Sequence, residues 1–155
     1  MPTSSMRGSE GSPAPTNVDP MAVELAKSAI DLGIVISDSD KALAFYVDLL
    51  GFEHQADTPM PIGGGGTMHR LMCGDSMIKL VALNTTPQSA APGGIPGAMG
   101  LRYFTMQVTN LSELMADCEA AGVIIAVPEA EIRPGVSIGI VEDPDGNWVE
   151  FVQPT

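Results

Sequence analysis

One order of elements occurs twice in this chain, and that repetition limits its fold more than any other feature. Ile30 to Ile36 is rich in Ile and Val and predicts a buried strand. Ser37-Asp38-Ser39-Asp40 supplies side-chain oxygens for a helix N-cap. Ala42, Leu43, Phe45, Tyr46, Leu49 and Leu50 then recur at helical spacing up to Gly51. Phe52 to Thr58 predicts a strand, and Thr67 to Cys73 with Ser76 to Leu83 predicts a hairpin about Gly74-Asp75. The series restarts after a proline- and glycine-rich linker: strand Arg102 to Val108, cap Thr109-Asn110, helix Leu111 to Ala121, Gly122, strand Val123 to Val127. A hairpin of Val136 to Val141 and Trp148 to Val152 closes it. Each half alone leaves a sheet face unburied, so the two are expected to close around a shared concave surface. The expected class is α+β, with two βαβββ repeats forming a curved mixed sheet around a cavity. Residues 28–84 and 101–155 are the units, 85–100 is a linker, and 1–27 is expected to be a disordered tail, its first twenty residues offering little to bury. Met21 to Lys27 is expected to form a short helical turn.

A chain of 155 residues holds one ordinary domain with a real core. Its formal charge of −12 disfavours nucleic acid and anionic membranes as partners. No apolar run approaches the length of a membrane span, and no secretory leader is evident. Cys73 and Cys118 form no CxxC pair, which fits a reducing cytoplasm and offers no zinc motif.

The closing hairpin turns at Asp143-Pro144-Asp145-Gly146, where proline pre-sets φ, aspartate bonds back to the backbone and glycine accepts positive φ. Glu150 stands among apolar neighbours just beyond it. Together with Leu32-Gly33-Ile34-Val35-Ile36-Ser37-Asp38 and Ala44-Phe45-Tyr46-Val47-Asp48-Leu49-Leu50-Gly51-Phe52, the phrase Asp143-Pro144-Asp145-Gly146-Asn147-Trp148-Val149-Glu150-Phe151 resembles the vicinal oxygen chelate superfamily. That superfamily includes glyoxalase I, methylmalonyl-CoA epimerase, extradiol dioxygenases, fosfomycin resistance enzymes and bleomycin-binding proteins. The resemblance spans about Ser28 to Gln153. It implies a metal held by two His and two Glu or Gln, one from each of four inner strands. Here those positions carry Asp31, Lys79, Tyr103 and Glu150, so one of the four keeps its type. The resemblance also implies pairing of two chains, a homodimer in which the site lies within one chain or between two.

Strand alternation places Trp148 and Val152 on the face of Glu150, and likewise groups Asp31, Gly33 and Val35; Met77, Lys79 and Val81; Tyr103, Thr105 and Gln107. The Gly74-Asp75 hairpin sets Arg70 opposite Lys79, and the family's strand order predicts a row Asp31, Lys79, Arg70. An ammonium has no lone pair and repels a dication, so no divalent metal and no other cofactor is expected. If a metal is present, Asp31, Tyr103 and Glu150 are its ligands, a set suited to hard cations. Two readings of Asp31 and Lys79 stand side by side. One is a salt bridge filling a vacated metal site. The other is chemistry on a small-molecule ligand: Lys79 and Arg70 fix an oxyanion, Asp31 or Glu150 acts as base, and Tyr103 gives a proton. Met77, Gln107, Thr105 and Trp148 join Arg70 and Lys79 as candidate substrate-binding residues. The first reading of function is a metal-free, glyoxalase-like lyase or isomerase acting on a small organic acid or carbonyl compound. The alternatives are a sequestering protein of the bleomycin-resistance kind and a metal enzyme using Asp31, Tyr103 and Glu150. Met60, Met68, Met72, Met77 and Met106 are candidates for an adaptable apolar lining. His69 falls on the face opposite Arg70, a packing position, and His54 is expected to be exposed. Gly63 to Gly66 lacks the GK[ST] of a phosphate loop and reads as a flap.

Overall fold

Eight strands form two sheets of the same topology in the computed structural model, which describes Gly11 and residues 22–155. The first sheet contains β1 (Leu32–Val35), β2 (Glu53–Pro59), β3 (Gly66–Cys73) and β4 (Ser76–Leu83), in the order β1-β4-β3-β2. The second contains β5 (Tyr103–Gln107), β6 (Ile125–Arg133), β7 (Val136–Glu142) and β8 (Trp148–Pro154), in the order β5-β8-β7-β6. In each, the first strand runs parallel to the last and the other pairs are antiparallel. The helical crossover makes the parallel pair possible. The duplicated α+β reading therefore agrees with the structure. Residues 22–27 carry no helical turn, contrary to expectation, and the expected disorder of 1–20 falls outside the described residues apart from Gly11.

The first helix departs from the sequence reading. Asp38 caps α1 (Ser39–Leu43) by accepting from the Lys41 N–H, but Ala44–Leu49 is a π-helical segment. Leu50 N–H donates to Phe45 O across five residues. The wider turn lets the consecutive rings of Phe45 and Tyr46 both point inward, and both are buried. In α2 (Leu111–Ala120), Asn110 makes no side-chain cap; Gln153 Oε1, from β8, accepts from the Leu111 N–H instead. Gly139 lets α2 lie close on its sheet, because a Cβ there would stand 2.5 Å from the Met115 sulfur.

The helix-side faces of both sheets share one core. Ile36, Phe45, Tyr46, Leu71, Ile78 and Leu80 of the first unit pack in one cluster with Leu111, Met115, Val141, Val149 and Phe151 of the second. Tyr46 Oη donates to Asp143 Oδ2 at 2.6 Å across the two units. The Ser37 N–H and hydroxyl both donate to the Asp145 carboxylate. The phrases FY and DPDGN are thus contact partners, and Asp143 also accepts from the Asp145 and Asn147 N–H groups to hold its own turn. No described helix is long and apolar enough to cross a membrane.

Candidate functional site

Each sheet has a second face, turned away from the common core. On β4 the core takes Ile78 and Leu80, so Met77, Lys79 and Val81 project to the other side. The two-residue turn at Gly74, with φ +58°, pairs Cys73 with Ser76 and puts Arg70 directly opposite Lys79. Across β1, however, Lys79 faces Gly33, not Asp31, so the row is Gly33, Lys79, Arg70. Asp31 lies just before β1, one pleat away, and its carboxylate meets Lys27 at 2.5 Å. Lys27 thereby holds the Asp31 carboxyl below the usual carboxylate range. An i,i+4 contact near the chain's start competes with the ladder position, which strand spacing alone does not reveal. The predicted Asp31–Lys79 ion pair is absent; among the described residues no carboxylate lies within 4.0 Å of Lys79 or Arg70. Arg70 rests on the Met68 sulfur at 3.4 Å. Beside Lys79, Gly33 leaves open space, since a Cβ there would meet nothing within 4 Å.

The second sheet presents a different surface. Phe104 and Met106 turn to the core, leaving Tyr103, Thr105 and Gln107 exposed on the other side. Thr105 is the ladder partner of Glu150 and donates its hydroxyl to Glu150 Oε1 at 2.6 Å, fixing the carboxylate. Gln107 faces Val152, and Tyr103 faces Trp148. On the far side of Glu150 stands Ile140, with Ile138 opposite Val152.

Trp148 is covered in part by the linker. Gly94, with φ +59°, lies on the indole, where a Cβ would come within 1.8 Å of a ring carbon. Arg102 holds this strap in place: its Nε donates to Gly94 O at 2.6 Å and its Nη2 to Ala91 O at 2.7 Å. The indole Nε1 is buried without a hydrogen-bond partner among the described residues. Trp148 is therefore a packing residue under the strap and a wall of a cavity of about 400 Å³. That cavity runs along Leu32 to Ser37, Gln88 and Tyr103 up to Asn147. Arg102 and Gly94 escaped the sequence reading because their roles depend on where a long linker folds back; a lone arginine just before β5 is the available signal.

Within one chain the structure places Lys79 and Arg70 on one open face, and Glu150, Thr105, Tyr103 and Gln107 on the other. Strands β1 and β5 are unpaired sheet edges, as are β2 and β6, among the described residues. Of the methionines, Met106 is turned into the core against Cys73, 3.6 Å away, whereas Met77 and Met68 share the face of Lys79 and Arg70. Strand β6 runs on through Pro128 to Arg133, past Val127, where the sequence pattern ended it.

Comparison with known proteins agrees with this architecture. A glyoxalase family protein from Bacillus cereus superposes with a TM-score of 0.72 at 15% identity, covering 87% of this chain and 99% of its own. TnmS3, an antibiotic binding protein from a Streptomyces species, gives 0.63 at 23% identity over 88% and 100%. Glyoxalase I of Leishmania major gives 0.60 at 22% over 79% and 84%. In sequence, the uncharacterized protein YwkD of Bacillus subtilis is 26% identical over 121 residues, 78% of this chain and 92% of YwkD. The sequence model of the Glyoxalase/Bleomycin resistance protein/Dioxygenase superfamily matches residues 29–151, and the chain belongs to that superfamily.

Proposed function

We propose that this protein binds a small organic acid or carbonyl compound and acts on it as a glyoxalase-like lyase or isomerase, with no divalent cation at the superfamily's metal position. One observation carries the reading: Arg70 and Lys79, opposite each other on an open sheet face, have no carboxylate within 4.0 Å among the described residues. In a chain of net charge −12, two adjacent half-buried cations with no direct ion pair among those residues favour an anionic ligand. Arg70 and Lys79 hold its carboxylate or enolate oxygen. Glu150, oriented by Thr105, takes a proton from the ligand, and the Tyr103 hydroxyl returns one. The donor set does not fit a divalent cation. Lys79 offers no lone pair while charged, the Asp31 carboxylate is engaged by Lys27, and only Glu150 and Tyr103 remain.

The cationic and carboxylate faces belong to different sheets, whose edges β1 and β5 border one cavity within the chain. A homodimer, in which each copy gives one open face to the other, is part of the proposal. It is supported by the exposure of Val35 (50%) and Tyr103 (49%) on those edges in the single chain.

A thermal-shift screen of small carboxylic acids, 2-oxo acids and phenols identifies a ligand. Lys79→Ala and Arg70→Ala should each weaken its binding roughly 10- to 100-fold, the range for a lost charge-assisted hydrogen bond. Glu150→Gln should keep binding and abolish turnover. Unchanged affinity in both cation variants, or turnover that requires added metal and stops with chelator, refutes the proposal. A second reading, sequestration without turnover, is favoured by the apolar lining that Leu32, Val35 and Trp148 give the cavity and by the fold shared with TnmS3. Tight binding by a wild-type protein that leaves its ligand chemically unchanged would establish it.

A further inference from the structure

The chain has two histidines, and both converge on one carboxylate on the helix side of the first sheet, away from Lys79 and Glu150. His54 Nε2 lies 2.6 Å from Asp57 Oδ1, and His69 Nδ1 lies 2.7 Å from the same oxygen. The candidate ligand atoms of all three residues fall within 4.8 Å of one another. We propose that His54, Asp57 and His69 form a binding site for a divalent transition metal, zinc in the first instance, independent of the open faces.

Strand geometry shows how the three meet. His54 and Asp57 are three residues apart on β2, a spacing that puts them on opposite faces of a regular strand. A register shift between His54 and Ala56 inserts Gln55 as an extra residue. His54 then sits opposite Leu71 and Asp57 opposite His69, both core-side positions on β3. The bulge re-aims one side chain so that two ligands share a face, a recurrent use of bulges beside functional sites.

The chemistry of the set suits zinc. Two imidazoles and one carboxylate leave a fourth tetrahedral position for water. Ser39 Oγ stands 2.9 Å from His69 Nε2. With Nε2–H donating to that hydroxyl, Nδ1 keeps the lone pair that a metal needs, the orienting role that outer partners of metal-bound histidines play. Exposure falls from 50% for the Asp57 side chain through 32% for His54 to 8% for His69, so a cation can enter from one side onto a fixed inner ligand. Tetrahedral ligands around zinc stand about 3.3 Å apart, and parting each imidazole from Asp57 by roughly 0.7 Å makes room. The cation would tie the edge strand β2 to β3 and, through Ser39, to the start of α1.

The test uses the full chain, stripped with chelator and titrated with Zn²⁺ by calorimetry, with Co²⁺ absorption reporting imidazole ligation. One Zn²⁺ per chain and a raised Tm are expected. His54→Gln and Asp57→Asn, both at exposed positions, should each weaken binding at least about 10- to 100-fold. Glu150→Gln should bind Zn²⁺ as the wild type does, so this site and the open-face proposal fail separately. Substoichiometric binding, binding unaffected by either His54→Gln or Asp57→Asn, or binding lost in Glu150→Gln overturns the assignment.

Discussion

Tyr46→Phe removes one oxygen from the join between the two units. Tyr46 is fully buried and Asp143 is 5% exposed, so neither group has water to replace the other. The phenol donates to Asp143 Oδ2, which keeps only the Asn147 amide when the hydroxyl is gone. Oδ1 retains two backbone donors, so the turn itself persists. A hydrogen bond to a charged acceptor contributes roughly 1.5–3 kcal/mol net. In a domain of this size each kcal/mol moves Tm by about 2–4 °C, which gives a fall of about 3–12 °C. Asp143→Asn and the double variant complete a thermodynamic cycle, read by urea unfolding at neutral pH. Its coupling should be about 1.5–3 kcal/mol. A spectrophotometric titration adds a second readout. Burial, reinforced by the Asp143 charge, raises the Tyr46 pKa well above the ordinary tyrosine value, so Tyr46 should ionise only on unfolding. A Tm within about 1 °C of wild type, or coupling near zero, would show that the Tyr46–Asp143 bond does not help to hold the units together and refute the reasoning.

Two further outcomes test other parts of the structure. Gly94→Ala forces a methyl into the Trp148 indole and should cost about 1–3 kcal/mol, the range for overpacking. The chain's one tryptophan should then show red-shifted emission, whereas unchanged emission would mean the strap does not lie on it. Hydrogen bonds from His69 and His54 lower the Asp57 pKa, so their stabilising contribution is complete above the unfolded carboxyl value of about 3.9 and disappears as pH falls through the lower folded value. Melting curves in chelator should therefore show wild type above Asp57→Asn at pH 5 and the gap closing as the pH falls below the ordinary carboxyl range; a gap that widens on acidification contradicts the assignment.

What could be read from the sequence was whatever depends on local periodicity and short turns. The Arg70–Lys79 pairing followed from a two-residue hairpin and was found as expected. The order of strands needed the superfamily resemblance, and the residue facing Lys79 was then misplaced by one pleat because parallel strands joined through a helix have no turn to fix their register. The π-helical segment was hidden because Phe45 and Tyr46 fit an α-helical stripe until both must be buried together. His54 and Asp57 looked unrelated because a bulge cannot be read from spacing that assumes a regular strand. The strap over Trp148 depends on a sixteen-residue linker, 85–100, that Arg102 and the tryptophan hold in place.

Duplication gives the two open faces one frame, which makes their differences informative. Lys79 and Gly33 in the first unit occupy the ladder positions that Glu150 and Thr105 occupy in the second. On the next strand Arg70 corresponds to Ile140. One unit therefore offers two donors beside an empty glycine position, and the other a fixed carboxylate backed by branched aliphatic side chains. A symmetric metal cage would want acceptors from both units; opposite charges at equivalent positions suit a ligand with an anionic head and an apolar body. The same asymmetry makes the proposal specific. Exchanging the charges, Lys79→Glu with Glu150→Lys, keeps the net charge but sets Arg70 beside a carboxylate and removes the Thr105-oriented base, so a head-to-body ligand should lose affinity although both faces remain.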